Sequence, residues 1–233
     1  MLNRPAPLDD APLELLRAGD WQMSFGERAA IEGVLSQLRP SLSVEIGTAA
    51  GGSLAEIASH SHEVHSFDLH DPGPLAERFP EVRFHTGDSH ELLPRLLARL
   101  ADDGRNVDFV LVDGDHTPEG AQRDVEDLLA SPALTDTIIL LHDTSNHRVR
   151  RGYGRVRYEA HPKVAHVDLD FVGGYVLSEP GLDDEVWGGL GLIWVSARRG
   201  AYFAPSIRQD RYHPTSELLQ HGFEARFGQP VRE

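Results

Sequence analysis

Residues 44–53, Val-Glu-Ile-Gly-Thr-Ala-Ala-Gly-Gly-Ser, decide the fold of this chain. An apolar run, Leu42–Ile46, passes into a turn of small residues, and a helical segment, Ser53–His60, follows. The order strand, glycine turn, helix is typical of a parallel α/β sheet that binds a ligand at the carboxyl ends of its strands. Small residues are expected there because a β-carbon would meet the ligand. Glu45 precedes the turn, where its carboxylate repels a pyrophosphate but favours a ligand that carries an ammonium group.

Strand-like and helix-like segments alternate along the rest of the chain at a regular spacing, which predicts an α/β fold. We expect a doubly wound, Rossmann-like, mostly parallel sheet with helices on both of its faces. The predicted strands are Leu42–Ile46, Glu63–Asp68, Val82–His85, Val107–Val112, Thr137–His142, His166–Val172 and Leu190–Val195. The predicted helices are Phe25–Leu38, Ser53–His60, Pro74–Phe79, Ser89–Ala101 and Pro118–Ala130, with a long loop at Gly173–Gly189 and a short helix near Ser216–Arg226.

Length and composition fit a single domain of 233 residues. We expect a core at about residues 24–196, an N-terminal helical extension at residues 1–40 and a C-terminal tail at residues 198–233. The chain has no cysteine, which excludes disulfides and thiolate chemistry. No apolar segment approaches membrane-spanning length, and the N-terminus has no secretory pattern, so we expect a cytoplasmic protein.

The net charge of −15 disfavours broad binding to nucleic acids or anionic membranes. One basic run, between Arg148 and Arg157, departs from this trend. It is either a solvated, arginine-rich helix or loop, or a patch that holds an anionic group of a substrate or gates the pocket. The sequence leaves the oligomeric state open, a homo-oligomer included.

Acidic residues follow the second and third predicted strands. Asp68 ends the second strand about twenty residues after the glycine turn, where a Rossmann-type sheet places an acid on ribose hydroxyls. In Thr86-Gly87-Asp88-Ser89, Asp88 either caps the helix that begins at Ser89 or binds an adenine amino group, and these two functions are compatible.

Two further acids follow the fourth and fifth strands, in Val112-Asp113-Gly114-Asp115-His116 and Leu141-His142-Asp143-Thr144. Since these strands are expected to be neighbours, Asp113 and Asp143 should face one crevice. Two carboxylates repel each other unless a cation or an arginine lies between them, so the pair predicts either a divalent-metal site or an ion pair. His116, three residues beyond Asp113, is either structural or a general base.

These residues resemble the class I S-adenosylmethionine-dependent methyltransferases over about residues 24–196. Asp-Gly-Asp-His after the fourth strand and His-Asp-Thr after the fifth are most similar to small bacterial metal-dependent O-methyltransferases that act on natural products and sugars. The resemblance implies metal ligands at Asp113 and Asp143, with His142 or Thr144 in place of the family's Glu or Asn, and a base at His116. It implies contacts to S-adenosylmethionine from Glu45, Gly47, Thr48, Ala49, Gly51, Ser53, Asp68, Asp88, Ser89 and Asp113.

The function so predicted is methyl transfer from S-adenosylmethionine to a hydroxyl of a small molecule, assisted by Mg²⁺ or another divalent cation. Two alternatives remain. Gly47-x-Ala49-x-x-Gly52 nearly satisfies the dinucleotide fingerprint of an NAD(P)-dependent oxidoreductase, although Ala49 stands where a glycine approaches the pyrophosphate. A non-catalytic S-adenosylmethionine-binding protein could have the same fold.

Overall fold

The computed structural model describes residues 21–177 and 185–196, and the backbone of residues 206–207. Six helices and eight strands lie within these residues. The helices are α1 Phe25–Leu38, α2 Gly52–His60, α3 Pro74–Arg78, α4 Ser89–Asp102, α5 Pro118–Ala130 and α6 His147–Arg155. The strands are β1 Leu42–Ile46, β2 Glu63–Asp68, β3 Val82–Thr86, β4 Phe109–Val112, β5 Asp136–His142, β6 Val164–Val176, β7 Val186–Ser196 and β8 Ser206–Ile207.

The strands form one sheet in the order β3-β2-β1-β4-β5-β7-β6-β8. Strands β1 to β5 are parallel to their neighbours among themselves, whereas β7 is antiparallel to both β5 and β6. Ile46 is paired with Phe67 of β2 and with Val112 of β4, so the carboxyl ends of these three strands are level. The chain order reverses between β1 and β4, which is where a doubly wound sheet opens a crevice for ligands. The predicted fold class is confirmed.

Helices cover both faces of the sheet. On one face, leucines of α4 such as Leu93 and Leu97 pack with Val125 of α5 and Tyr153 of α6. On the other face, α1 and α2 supply a second core cluster. Every residue of β1 and β4 is buried, because both strands have helices above and below them. Polar side chains therefore gather in the turns beyond the carboxyl ends of these strands.

The segment Gly173–Gly189, predicted as a long loop, is a hairpin in large part. Strand β6 continues to Val176 and β7 begins at Val186, with Tyr175 paired with Trp187. Glycine and acidic residues suggested a loop, but the backbone hydrogen bonds of the two strands outweigh that local preference. Residues 178–184 lie outside the described part.

Other boundaries differ from the prediction by one or two residues. Strand β4 begins at Phe109 instead of Val107, and β5 begins one residue early, at Asp136. The basic run, expected to be a helix or a loop, forms most of α6. Among the described helices, none has both the length and the apolar character needed to cross a bilayer. The predicted helix near Ser216–Arg226 falls outside the described residues.

Candidate functional site

The turn after β1 packs directly against the turn after β4. Gly47 has φ +92°, and a β-carbon on it would lie 1.9 Å from the carbonyl oxygen of Asp113. Gly51, with φ +78°, is equally constrained by Leu75, whose Cδ2 would be 2.9 Å away. The Asp113 backbone at Gly47 and the positive φ of both residues already favour glycine at these positions, and the ligand contact expected from the sequence stays a prediction. Between them, Ala49 has φ +43°, a strained conformation of the kind found at functional sites.

The Glu45 carboxylate lies beneath this turn and is 0% exposed. Its two oxygens accept hydrogen bonds from Ser53 Oγ at 2.7 Å and from Ser66 Oγ at 2.6 Å. Ser66 Oγ also lies 2.7 Å from Thr48 Oγ1, so the network continues into the glycine turn. Burial raises the pKa of Glu45 to about 8, although both serine hydroxyls oppose this rise. The direct contact of Glu45 with an ammonium group stays a prediction.

Asp68, at the end of β2, is hydrogen-bonded to the same turn. Its Oδ2 accepts from the backbone N–H groups of Thr48 at 3.0 Å and Ala49 at 3.1 Å. Its Oδ1 accepts from His70 N at 2.9 Å. The acid is half-buried at the carboxyl edge, and its contact with a ribose stays a prediction.

Asp88 is the N-cap of α4 and accepts a hydrogen bond from His90 N at 2.9 Å. It follows β3 at the same edge of the sheet, with Ser89 as the first residue of the helix. The capping function predicted from the sequence is confirmed. The contact with adenine stays a prediction.

Three side chains converge where β4 and β5 end. His116 Nε2 lies 3.3 Å from Asp113 Oδ1 and 3.2 Å from Asp143 Oδ2. One ligand atom from each of Asp113, His116 and Asp143 lies within 4.8 Å of the others, which is the spacing of a candidate cation site. Asp143 has φ +56°, so its carboxylate is held in place by a strained backbone. The predicted meeting of Asp113 and Asp143 therefore occurs in the structure.

His142 also lies beside the two carboxylates, with Nδ1 3.5 Å from Asp143 Oδ2, and its assignment as a metal ligand stays a prediction. Its Nδ1 is 2.9 Å from Asp113 Oδ1 and its Nε2 is 3.1 Å from Glu27 Oε1, so both ring nitrogens are engaged. Thr144, the other candidate, points towards β7, where its Oγ1 would lie 3.1 Å from a β-carbon on Gly189. Both His116 and His142 thus contact the two carboxylates.

Glu27, on α1, was not singled out from the sequence. It is 0% exposed, and its Oε1 accepts from Gly189 N at 2.6 Å as well as facing His142. Its spacing from Ser24 is that of a capping box, which the structure contains. That pattern locates the start of a helix, but it cannot reveal that the carboxylate reaches the end of β5.

The charges in this cluster compensate one another. Burial alone would raise the pKa of Asp113, but His142 and His116 outweigh it and lower that pKa to about 2. The hydrogen bond with Asp113 raises the pKa of His116. Burial opposes the protonation of His142, yet Asp113, Asp143 and Glu27 together raise the pKa of His142 well above its ordinary value. The surrounding carboxylates therefore favour the protonated form of His142, which offsets part of their negative charge.

The β6–β7 hairpin carries aromatic residues to the edge of the cluster. The Trp187 ring meets the His116 ring edge-on, with 5.5 Å between centroids. The following residue, Gly188, donates its N–H to Asp143 Oδ1 at 2.7 Å. The hairpin is thus attached to the site by a hydrogen bond and forms one wall beside it.

The basic run is mostly structural or solvated. Arg150 is buried and makes a two-pronged ion pair with Asp170, with N–O distances of 2.7 and 2.9 Å. Arg155 pairs with Glu119 at 2.8 Å, and Arg157 lies 3.6 Å from Glu159. Arg148 and Arg151 are exposed.

Comparison with known proteins relates this site to a protein family. A family profile described as "Methyltransferase domain" matches residues 44–144, which contain the glycine turn, Asp68, Asp88, Asp113, His116 and Asp143. Residues 44–144 form a methyltransferase domain. The resemblance to class I methyltransferases drawn from the sequence is confirmed, and the match favours it over the NAD(P)-dependent alternative.

Solved structures agree on the fold. An O-methyltransferase of Bacillus cereus in complex with S-adenosylhomocysteine superposes with a TM-score of 0.55 at 15% identity, covering 74% of this chain and 82% of that one. The O-methyltransferase TomG of Streptomyces achromogenes, involved in tomaymycin synthesis and bound to S-adenosylmethionine, gives 0.52 at 16% identity over 75% and 81%. Among curated protein sequences, none matches this chain.

The methyltransferase domain offers a donor set that fits S-adenosylmethionine. The half-buried carboxylate of Asp68 lies beside the turn, and Ala49 and Ala50 of the turn are exposed. The Asp113–His116–Asp143 cluster fits a divalent cation, since two carboxylates and an imidazole are ligands that such ions accept.

Proposed function

We propose that this methyltransferase transfers the methyl group of S-adenosylmethionine to a hydroxyl oxygen of a small molecule, with the assistance of a divalent cation. The observation that carries the proposal is the convergence of Asp113, His116 and Asp143 immediately beside the glycine turn. The contact between Gly47 and Asp113 brings the cofactor side and the reaction side of the crevice together. The O-methyltransferase activity of similarly folded proteins supports the choice of oxygen as acceptor.

The cofactor is assigned to the edge formed by β1, β2 and β3. Asp68 accepts hydrogen bonds from the ribose hydroxyls, and the Asp88–Ser89 turn lies beside adenine. The methionine part lies over the Thr48–Gly51 turn, above the Glu45–Ser53–Ser66 network. This places the sulfonium methyl towards Asp113, at the neighbouring strand end.

The chemistry then depends mainly on positioning and on one proton transfer. A bond forms between the acceptor oxygen and the methyl carbon, the bond from sulfur to that carbon breaks, and the hydroxyl proton leaves. His116 accepts this proton when its imidazole is neutral. A divalent cation held by Asp113 and Asp143, when bound, lowers the pKa of the acceptor hydroxyl. Since His116 is 44% exposed on a turn, its ring can move aside from the two carboxylates.

A small acceptor fits the surroundings of the cluster. The Trp187 ring next to His116 offers an apolar surface for the body of a sugar or phenol. The net charge of −15 disfavours a nucleic acid as substrate, and a cytoplasmic location stays part of the proposal.

The test is a thermal-shift matrix followed by a transfer assay. S-adenosylhomocysteine or NAD is added to the full chain, each with Mg²⁺, Mn²⁺ or a chelator, and radiolabelled methyl transfer is then measured on a panel of sugars and phenols. We expect stabilisation by S-adenosylhomocysteine and transfer that the chelator abolishes. Stabilisation by NAD alone would refute the cofactor assignment. Binding of S-adenosylhomocysteine without transfer to any panel member would favour a non-catalytic binding protein.

A further inference from the structure

The carboxylate of Glu27 joins three distant parts of the chain. Its Oε2 accepts from the backbone N–H of Ser24 at 2.6 Å, which completes the cap of α1. Its Oε1 accepts from Gly189 N at 2.6 Å and lies 3.1 Å from His142 Nε2. One oxygen therefore caps helix α1, whereas the other contacts the end of β5 and the base of the β6–β7 hairpin.

A continuous chain of contacts leads from Glu27 to the reaction site. His142 uses Nε2 for Glu27 and Nδ1 for Asp113, so its ring cannot rotate without losing both partners. Asp113 Oδ1 also contacts His116 Nε2 at 3.3 Å. Because His142 is only 6% exposed, water cannot readily replace a partner that is removed.

We propose that Glu27 is a positioning residue of this site, acting through His142 on Asp113 and His116. The inference rests on the proposed function of that site. Glu27 fixes the His142 ring, and His142 fixes the Asp113 carboxylate through its Oδ1. Through Gly189 the same carboxylate also holds the strand that carries Trp187, so α1 forms part of the site rather than only its cover.

The chain offers a matched control for the helix-capping function of Glu27. Ser24→Ala removes the hydroxyl that accepts from Glu27 N at 3.3 Å, which weakens the cap without touching Oε1. Glu27→Met keeps the length of the side chain but removes every hydrogen bond to the carboxylate. If Glu27 only stabilises the helix, Glu27→Met should affect the site no more than Ser24→Ala does.

The first experiment reads the site in the free protein, without any acceptor. Imidazole ring signals are recorded by NMR on the full chain with a chelator present, and His142→Asn and His116→Asn assign the two resonances. We expect Glu27→Met to shift the signals of both His142 and His116, and Ser24→Ala to leave both in place. If Glu27→Met does not fold, Glu27→Gln, which keeps one acceptor oxygen, should shift both signals by less. An unchanged His116 signal in the folded variant overturns the proposal, whether or not the protein transfers methyl groups.

The second experiment measures turnover on an acceptor from the panel. Loss of a residue that orients a ligating group lowers activity by about 10- to 100-fold, and we expect this fall in kcat for Glu27→Met, with the KM for S-adenosylmethionine changed by less than about twofold. In the His142→Asn background the same substitution should lower kcat clearly less, by the part that depends on the contact with Gly189. An equal fall in kcat with and without His142, or an equal fall in Ser24→Ala, contradicts action through His142. Absence of turnover in the unmodified protein counts against the proposed function. The NMR experiment then tests by itself whether Glu27 positions His142 and His116.

Discussion

Replacing Glu45 by glutamine tests how the buried acid beneath the glycine turn is charged. The folded protein raises the pKa of Glu45 from 4.5 to about 8, with burial as the largest cause. Folding therefore favours the protonated acid, and this contribution to stability is complete below pH 4.5. It is lost as the pH rises towards 8, at about 1.4 kcal/mol for each pH unit.

At pH 7 this loss amounts to about 3 kcal/mol, obtained from the interval between pH 4.5 and pH 7. The glutamine side chain of the variant is neutral at every pH and has nearly the same shape as that of glutamate. Its amide can donate to Ser66 or Ser53, since a serine hydroxyl accepts as well as donates. The free energy of unfolding of Glu45→Gln should thus exceed that of the unmodified protein by an amount that grows between pH 5 and pH 8 and is constant above.

The assay is urea unfolding of both proteins, followed by circular dichroism, at half-unit steps from pH 5 to pH 8.5. Two parallel curves of stability against pH would refute the assignment of a protonated Glu45.

A second measurement is titration with S-adenosylhomocysteine at each pH. If Glu45 meets the ammonium group of the cofactor, the variant should bind at least about tenfold more weakly, the equivalent of a lost charged hydrogen bond. Unchanged affinity would show that Ser53 and the turn suffice for binding.

Three further substitutions test the remaining parts of the site and its support. Asp113→Asn should abolish cation-dependent turnover but change the Kd for S-adenosylhomocysteine by less than about threefold, measured by calorimetry; a large loss of cofactor binding would place Asp113 in the cofactor site instead. His116→Asn should lower kcat by about 10²- to 10⁴-fold with KM nearly unchanged, and a smaller effect in steady-state assays would remove it as the base. Arg150→Met should lower the free energy of unfolding by about 3 kcal/mol, because the ion pair with Asp170 loses one partner. Combining it with Asp170→Asn should recover part of this loss. A loss below about 1 kcal/mol in urea unfolding, which is the value of an exposed pair, would contradict this.

Much of the fold could be predicted because it follows from local patterns. Residues Pro118–Ala130 form a helix as expected, with Thr117 as the N-cap and proline in the first turn. Strand β1 and the turn after it were correctly located, since an apolar run followed by small residues has few other conformations. The carboxyl ends of parallel strands lie together in any such sheet, and for this reason Asp113 and Asp143 were correctly expected to meet.

The errors concern contacts between residues far apart in the sequence. Glu27 bonds with His142 across 115 positions and with Gly189 across 162, and no local periodicity encodes either contact. The hairpin was missed for a related reason. Tyr175 and Trp187 stabilise it by pairing with each other across the two strands, whereas Gly173 and Gly188 read as loop residues when taken singly.

The two histidines at the site illustrate why residue type alone could not assign functions. Both follow strands at the carboxyl edge, and the sequence offered His142 as a metal ligand and His116 as the base. In the structure, His142 is 6% exposed and contacts Glu27, Asp113 and Asp143, so it is fixed. His116 is 44% exposed, lies on a turn and contacts Asp113, Asp143 and the Trp187 ring. A group that carries a proton away from an acceptor must move between partners, whereas one that orients a carboxylate must not. This difference in burial supports our proposal of proton transfer for His116 and positioning for His142, a distinction that arises only when α1 places Glu27 against the end of β5.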